Sequence, residues 1–374
     1  MIYLIALATA APTTAGSTQP AVQAPPPLDP IQPIWEDPAS AQIINGEPAE
    51  RGDWPMAGAM ILTGTLTVPQ MGTLEQTALL CSSSLIAPDV VLLAAHCIDL
   101  DALGQQLGQA ELNNVEFYWS RKPDLTDYQL GMPAANLPRD AIRAIDSVKH
   151  EDFDINGIQI GLANNKDIAL LFLEEPVLDI PLAYLPVADT DETGMEIGED
   201  LVVVGWGQQI ATQQGQQPPP NSYGIKYMGI SSVAEKRPFE FKVGEKTSDV
   251  RKCHGDSGGP SYKKVTTDSS EIYRQVGITS HSYDLTDCFV TGGVDTRVSH
   301  YLDWIDEQLS SRCEDGTRSW CEIPGIIPPP LTDGTVAWEV VEEEERACGC
   351  SSNTGTSWWF FAGLLGLLPR MRRR

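Results

Sequence analysis

The sequence is short of positive charge. Lys and Arg total 25 against 51 Asp and Glu, for a formal net charge of −26 over 374 residues. A surface of that sign repels phosphate backbones, so nucleic acid is set aside as a partner. The charge instead favours solubility, including in a salty medium. The eight cysteines contain no Cys-x-x-Cys pair, and no His/Cys cluster has zinc spacing. No metal or other cofactor is therefore expected. An even cysteine count without metal spacing points to disulfides and an oxidising compartment. Helical periodicity is almost absent. One stretch, VSHYLDWIDEQL, puts Val298, Leu302, Ile305 and Leu309 on a single stripe.

What is plentiful is Gly (32) and Pro (28), a composition that suits a turn-rich β protein. The apolar runs are short and rich in Val, Ile and Leu: DVVLLAAHC, DIALLFL, LVVVGWG and RQVGITS. They read as buried strands of a sandwich or barrel.

The ends differ from the middle. MIYLIALATAAPTTAG is an apolar run followed by small residues, the pattern of a signal peptide over 1–16, although a basic leading segment is missing. Residues 17–42 are Pro- and Gln-rich and read as a propeptide or linker. A catalytic domain is expected over 43–312. A loop closed by Cys313 and Cys321 and a Pro-rich, then acidic stalk fill 313–347, and a distinct tail occupies 348–374. In that tail the apolar run Trp358–Leu368 falls short of the ~20 residues that span a bilayer. Arg370, Arg372, Arg373 and Arg374 follow it and would stay on the cytoplasmic side.

Four separated segments carry chemistry. LLAAHC ends in His96 and Cys97, DIALLFLEEPV opens with Asp167, CHGDSGGP contains Ser257, and IINGEPA begins at Ile43. Each alone has an ordinary structural explanation. Together they supply what a serine nucleophile needs: a base suited to neutral pH and a carboxylate to hold that base in one tautomer.

With WPMAG, CSSSLIAPDVVLLAAHC, VVVGWG, VGITS and GGVDTRV added, the stretch from Ile43 to Leu309 resembles the trypsin/chymotrypsin family of serine proteases. The resemblance implies an all-β fold, two packed six-stranded antiparallel β-barrels with a C-terminal helix and the site in the cleft between them. It also implies a triad of His96, Asp167 and Ser257, with an oxyanion hole formed by the N–H groups of Gly255 and Ser257. Activation would free the Ile43 amine to pair with Asp256 after a cut following Gln42, where Arg or Lys is usual. Disulfides Cys81–Cys97 and Cys253–Cys288 match family bridges, whereas Cys313 and Cys321, expected to pair with each other, have no counterpart in the common core. The usual CGGSLI stands here as CSSSLI. Several segments read as enlarged loops, among them DALGQQLGQAELNN, FDINGIQIGLANN and QQIATQQGQQPPPNSYG.

The specificity pocket departs further. Arg251 falls where trypsin-like members carry Asp at the pocket floor, with Gly293 and Ser282 on its walls. Thr279, Ser280 and His281 form the edge that would pair with substrate backbone, and His281 stands where an aromatic is usual. A guanidinium must be paired or solvated. Either a substrate Asp or Glu pairs with Arg251, aided by Lys252, or an internal carboxylate does, with Asp284, Asp287 and Asp295 nearby in sequence. His254 is a candidate substrate contact, while His150 and His300 are expected at the surface or in packing.

The tail resembles myxobacterial C-terminal sorting tags. That implies recognition at Cys348 and Cys350 by a sorting enzyme, contact with a membrane through the tail alone, and a secreted or cell-surface location. The expected partner is a protein or peptide substrate and the expected state a monomer. The rival to an enzyme is a catalytically silent homologue acting as a surface binding or adhesion protein. The intact His96, Asp167, Ser257 and Gly255 argue against it.

Overall fold

β4 (Val90–Leu93) and β7 (Ala169–Leu173) are uninterrupted apolar runs, buried at every position. That is the pattern of strands covered on both faces. They pair antiparallel, Val90 with Phe172 through Leu93 with Ala169. Around them close β2 (Ala57–Val68), β3 (Gly72–Ala87), β5 (Glu111–Ser120) and β6 (Ile142–Lys149). The result is a barrel in the order β2-β3-β4-β7-β6-β5. The computed structural model describes residues 43–321, apart from 51, 69–71, 108–110, 130–135, 187–194, 211–218, 220–221, 267–270, 285–287, 289 and 319. The expected leader, the linker with Gln42, the stalk beyond Cys321 and the tail with Cys348 and Cys350 lie outside the described residues.

A second barrel follows. It is built from β8 (Asp200–Gly205), β9 (Tyr227–Lys236), β10 (Glu240–Val243), β11 (Pro260–Thr266), β12 (Glu271–Ser282) and β13 (Gly293–Arg297). Its order is β9-β10-β13-β12-β11-β8, and pairing of β8 with β9 closes it. The short β1 (Glu47–Pro48) adds to the outside of β9. Residues buried on the inner faces of the second barrel, among them Leu201, Val203, Phe241, Val243 and Val276, form their own core, which Ile43 joins. The larger core fills the first barrel and extends to Trp206, Tyr262 and Ile278 of the second. The fold is the expected pair of six-stranded antiparallel barrels with a C-terminal helix.

Two helical segments refine the expectation. Val298–Tyr301 is a 3-10 turn, and the α-helix proper, α2, runs Leu302–Glu314 with Trp304, Ile305 and Leu309 buried. DALGQQLGQAELNN is not a plain loop. It holds a helix, α1 (Leu100–Leu107), and the start of β5. Asp99 begins α1 by accepting the Ala102 N–H at 2.9 Å, a capping contact that satisfies an orphan donor. Gly104 inside so short a segment masks the helical signal. Among the described residues no helix is long and apolar enough to cross a membrane.

Beyond α2 the chain turns back under the Cys313–Cys321 disulfide. Arg318 within that loop donates from Nε and Nη2 to Asp89, at 3.0 and 2.7 Å, and the Trp320 N–H donates to the same carboxylate at 3.0 Å. Asp89 sits in the turn between β3 and β4, and both side chains are buried. Removing one member of a buried, hydrogen-bonded ion pair strands the other charge. Arg318→Ala is therefore expected to lower unfolding free energy by about 3–5 kcal/mol, read from urea denaturation. A loss below about 1 kcal/mol, the value of an exposed pair, would show that this clasp is not structural.

Candidate active site

β4 ends at Leu93, and through the fully buried Ala94 the chain enters a 3-10 turn, Ala95–Cys97, that presents His96. The Cys81–Cys97 disulfide ties this turn to β3. Asp167 arrives from another direction. Lys166 has φ +56°, and this tight turn places the carboxylate just before β7. The Asp167 side chain is completely buried, yet it is well satisfied. It accepts the His96 backbone N–H at 2.9 Å on Oδ1. On Oδ2 it meets His96 Nδ1 at 2.7 Å and accepts the Ser280 hydroxyl at 2.6 Å. Thr296 of β13 donates from Oγ1 to the Asp167 carbonyl at 3.0 Å. Glu240 of β10 accepts the N–H groups of Ala163 and Asn165, holding the approach to Asp167. The second barrel therefore fixes a carboxylate that the first barrel carries.

These contacts shape the charges. Burial alone would push the His96 imidazole down, but the charge of Asp167 and its hydrogen bond outweigh this and hold it above its ordinary value. Burial alone would raise Asp167. The charge and hydrogen bond of His96, then the bonds from Ser280 and the His96 N–H, draw it below the usual carboxylate range. The His96 side chain keeps 13% exposure.

Ser257 lies in a turn bounded by two glycines of positive φ, Gly255 (+92°) and Gly258 (+77°). At Gly258 a Cβ would come within 2.5 Å of the Ser82 carbonyl and 3.1 Å of the Ala94 nitrogen. The bare backbone thus packs between β3 and the approach to His96. The Ser257 carbonyl accepts the Ser82 N–H at 2.9 Å. Among the described residues neither the Gly255 nor the Ser257 N–H has an acceptor. Two free donors in one tight turn can receive an oxyanion. Asp256 between them is fully buried and accepts the Gly207 and Cys253 N–H groups at 2.8 and 2.9 Å. Burial pushes its carboxyl up to about 6, against the pull of those two amides. No cation among the described residues forms an ion pair with it. The segment Ile43–Gly46 runs beside 247–251: the Arg251 N–H donates to the Ile44 carbonyl at 3.0 Å, and Asn45 Nδ2 to the carbonyls of Thr247 and Asp249.

The pocket residues take unexpected partners. Arg251 is buried and donates from Nη1 to the Cys288 carbonyl at 2.7 Å and from Nη2 to the Thr247 carbonyl at 3.2 Å, while Nε has no partner. No carboxylate among the described residues pairs with it. Burial pushes its guanidinium down, with Asp249 countering in part. Asp295 instead accepts Lys252 Nζ with both oxygens, each at 2.7 Å, in a fully buried pair. Asp287 lies outside the described residues. Ser282 and Gly293 are direct partners across β12 and β13. The register of that ladder shifts between Thr279 and His281, a bulge at Ser280 that turns its hydroxyl toward Asp167. The N–H and carbonyl of Thr279 are taken by Gly259 and Gly258, so this residue belongs to the nucleophile turn. His281 contacts Ser280 Oγ at 3.0 Å and the Gly161 carbonyl at 3.1 Å.

His254 is exposed beside the cleft turn. His150 stacks on Trp304 and His300 meets Phe239 edge-on, so both are packing residues. Cys253 is bonded to Cys288. At the two places where a histidine approaches two sulfurs, Cys81–His96–Cys97 and Cys253–His254–Cys288, the sulfurs are joined to each other. A metal would find one nitrogen ligand at each. Sequence reasoning missed Ser82, Glu240 and Thr296. The serines of CSSSLI were a visible departure; a buried acid and a threonine within strands gave no signal.

A sequence model of the family described as Trypsin matches residues 43–305, more than half of the chain. The chain is 27% identical over 250 residues to Melanization protease 1 of Drosophila melanogaster, covering 61% of this chain and 58% of that protein. It is 26% identical over 294 residues to Transmembrane protease serine 11G of Mus musculus, covering 74% and 57%. With Trypsin Tyr p 3.0101 of Tyrophagus putrescentiae the identity is 28% over 261 residues, covering 65% and 76%. The chain thus spans less than two thirds of the first two relatives.

The His96–Asp167 contact makes a direct prediction. In NMR titration the His96 ring should titrate above the ordinary ~6.5, and Asp167→Asn should drop it well below its wild-type value because burial is then opposed only by the charge of Asp99. A titration unchanged by the substitution would show that Asp167 does not govern the imidazole.

Proposed function

The chain belongs to the trypsin family, and we propose that it is a serine endopeptidase working through Ser257, His96 and Asp167. The observation that carries this reading is the buried Asp167 carboxylate, bonded to both the ring and the backbone nitrogen of His96. Ser257 Oγ attacks the scissile carbonyl while its proton passes to His96 Nε2. The carbonyl oxygen, now negative, is received by the N–H groups of Gly255 and Ser257. The tetrahedral intermediate collapses, and His96 gives its proton to the leaving amine. Water then attacks the acyl-enzyme by the same route and frees Ser257. Asp167 keeps the imidazole in the tautomer that presents Nε2 and stabilises its charged form. Each oxyanion donor contributes about 3–4 kcal/mol to the transition state.

At the pocket, Arg251 supports a preference for Asp or Glu before the scissile bond. Its hydrogen bonds go to backbone carbonyls and Asp249 counters its charge only in part, whereas the charge of Lys252 is matched by Asp295. A substrate carboxylate would be the missing counter-ion. Ser282 and Gly293 line the entry, and Ser280 with His281 forms the substrate-pairing edge.

Asp256 supports activation by cleavage. A buried carboxylate that is hydrogen-bonded by amides, with the charges of Lys252 and His254 acting on it without an ion pair, gains from a cation in direct contact. The Ile43 amine, freed by a cut after Gln42, would supply one. The region before Ile43 then acts as a removable prosegment. The signal-like start, the disulfides and the tail fit an exported monomer displayed at the cell surface, with Cys348 and Cys350 read by a sorting enzyme. The domain boundaries at 16, 42, 312 and 347 are part of the same reading.

Two outcomes test it. N-terminal sequencing of the active form should read Ile43-Ile44-Asn45-Gly46. Full activity in a chain that is blocked from cleavage before Ile43 would remove the Asp256 mechanism. On a random peptide library the processed enzyme should favour Asp or Glu at P1, and Ser257→Ala should be folded and inert. Enrichment of Arg, Lys or aromatics at P1 would reject the role given to Arg251. Hydrolysis surviving in Ser257→Ala would reject the nucleophile.

A further inference from the structure

Ser82 stands at the first Gly of the family's CGGSLI pattern, and it is fully buried. A buried hydroxyl must be matched, and this one is matched on both sides. The Trp206 N–H donates to Ser82 Oγ at 2.9 Å, and Ser82 Oγ donates to the Gly255 carbonyl at 2.9 Å. The Ser82 N–H also donates to the Ser257 carbonyl at 2.9 Å. One residue of β3 therefore grips the carbonyls on either side of Asp256. The Gly255 carbonyl belongs to the peptide joining it to Asp256. Holding that carbonyl sets ψ of Gly255, and with φ near +92° this directs the Gly255 N–H. Glycine would otherwise populate several orientations.

We propose that Ser82 is a positioning residue of the oxyanion site, its hydroxyl locking the Gly255 peptide so that the Gly255 and Ser257 N–H groups converge before substrate arrives. The hydroxyl touches no substrate. It relays a hydrogen bond from Trp206 on the second barrel through β3 of the first to the nucleophile turn. Replacing it with hydrogen leaves a buried carbonyl and a buried N–H without partners, and the turn is then free to rotate to satisfy them. The proposal rests on the endopeptidase reading above for its catalytic consequence, though not for its structural part.

The test uses Ser82→Gly and Ser82→Ala in the processed enzyme. Expected is a fall in kcat of about 10- to 100-fold, less than the outright loss of an oxyanion donor, with KM within about twofold. Affinity for a substrate-derived peptide aldehyde, whose adduct on Ser257 carries an oxyanion, should fall by the same factor as kcat/KM. Affinity for an uncleaved peptide of the same sequence should hold. Equal weakening of aldehyde and peptide would mean general damage to the site and overturn the proposal, as would unchanged kcat. A second measurement needs no turnover: in the Ser257→Ala background, the Gly255 amide signal in NMR should shift or broaden on Ser82→Ala while distant amides stay put. If that signal moves but the wild-type protein cleaves nothing, the positioning stands and the endopeptidase reading falls. If it does not move, the positioning role is wrong whatever the activity.

Discussion

Two adjacent residues of β3 are the reference to which the site is built. Cys81 is covalently joined to Cys97, the neighbour of His96. Ser82 holds the carbonyls of Gly255 and Ser257 by hydrogen bonds. His96 and Ser257 come from different barrels, more than 150 residues apart in the chain, yet both are fastened to one dipeptide in the buried part of β3. A strand paired along its length has few soft dihedrals left. Errors in the docking of the barrels are therefore not passed on freely to the spacing of the reacting groups. The Asp167 carboxylate is bridged in the opposite sense: the first barrel carries it, while Ser280, Thr296 and, through the preceding loop, Glu240 of the second steady it.

Charge is handled by a different solution at each buried group. Asp167 collects three donors and stays ionised. Asp256 accepts two amides and feels Lys252 and His254 without an ion pair, and burial still raises its carboxyl to about 6. Lys252 and Asp295 neutralise each other out of water. Arg251 has backbone carbonyls in place of a counter-ion. These groups are thus satisfied unequally, from a matched ion pair to a guanidinium hydrogen-bonded to carbonyls alone. The net charge of −26 adds a contrast, since Arg251 is a buried cation within a predominantly negative molecule.

Much of the architecture was readable. The runs in β4, β7, β8 and β12 are apolar enough to be strands under any packing, and the motifs around His96, Asp167 and Ser257 indicated how they close. What escaped the reading depends on contacts far apart in sequence. Ser82 and Gly255 are 173 positions apart, and Glu240 and Asn165 are 75 apart. A serine or glutamate within a strand ordinarily faces water, so nothing local marks it as a buried tie. The pocket shows the same limit. Asp295 was one of three carboxylates within reach of Arg251 in sequence, but in the fold it pairs with the neighbouring Lys252 instead. Gly104 hid α1, whose start depends on a cap by Asp99.

The Ser82 relay and the cross-barrel grip on Asp167 mean that no part of the chain smaller than both docked barrels holds His96, Asp167 and Ser257 in this arrangement. A copy with one barrel loosened keeps every one of these side chains but loses the Ser82 and Ser280 hydrogen bonds that set them against one another.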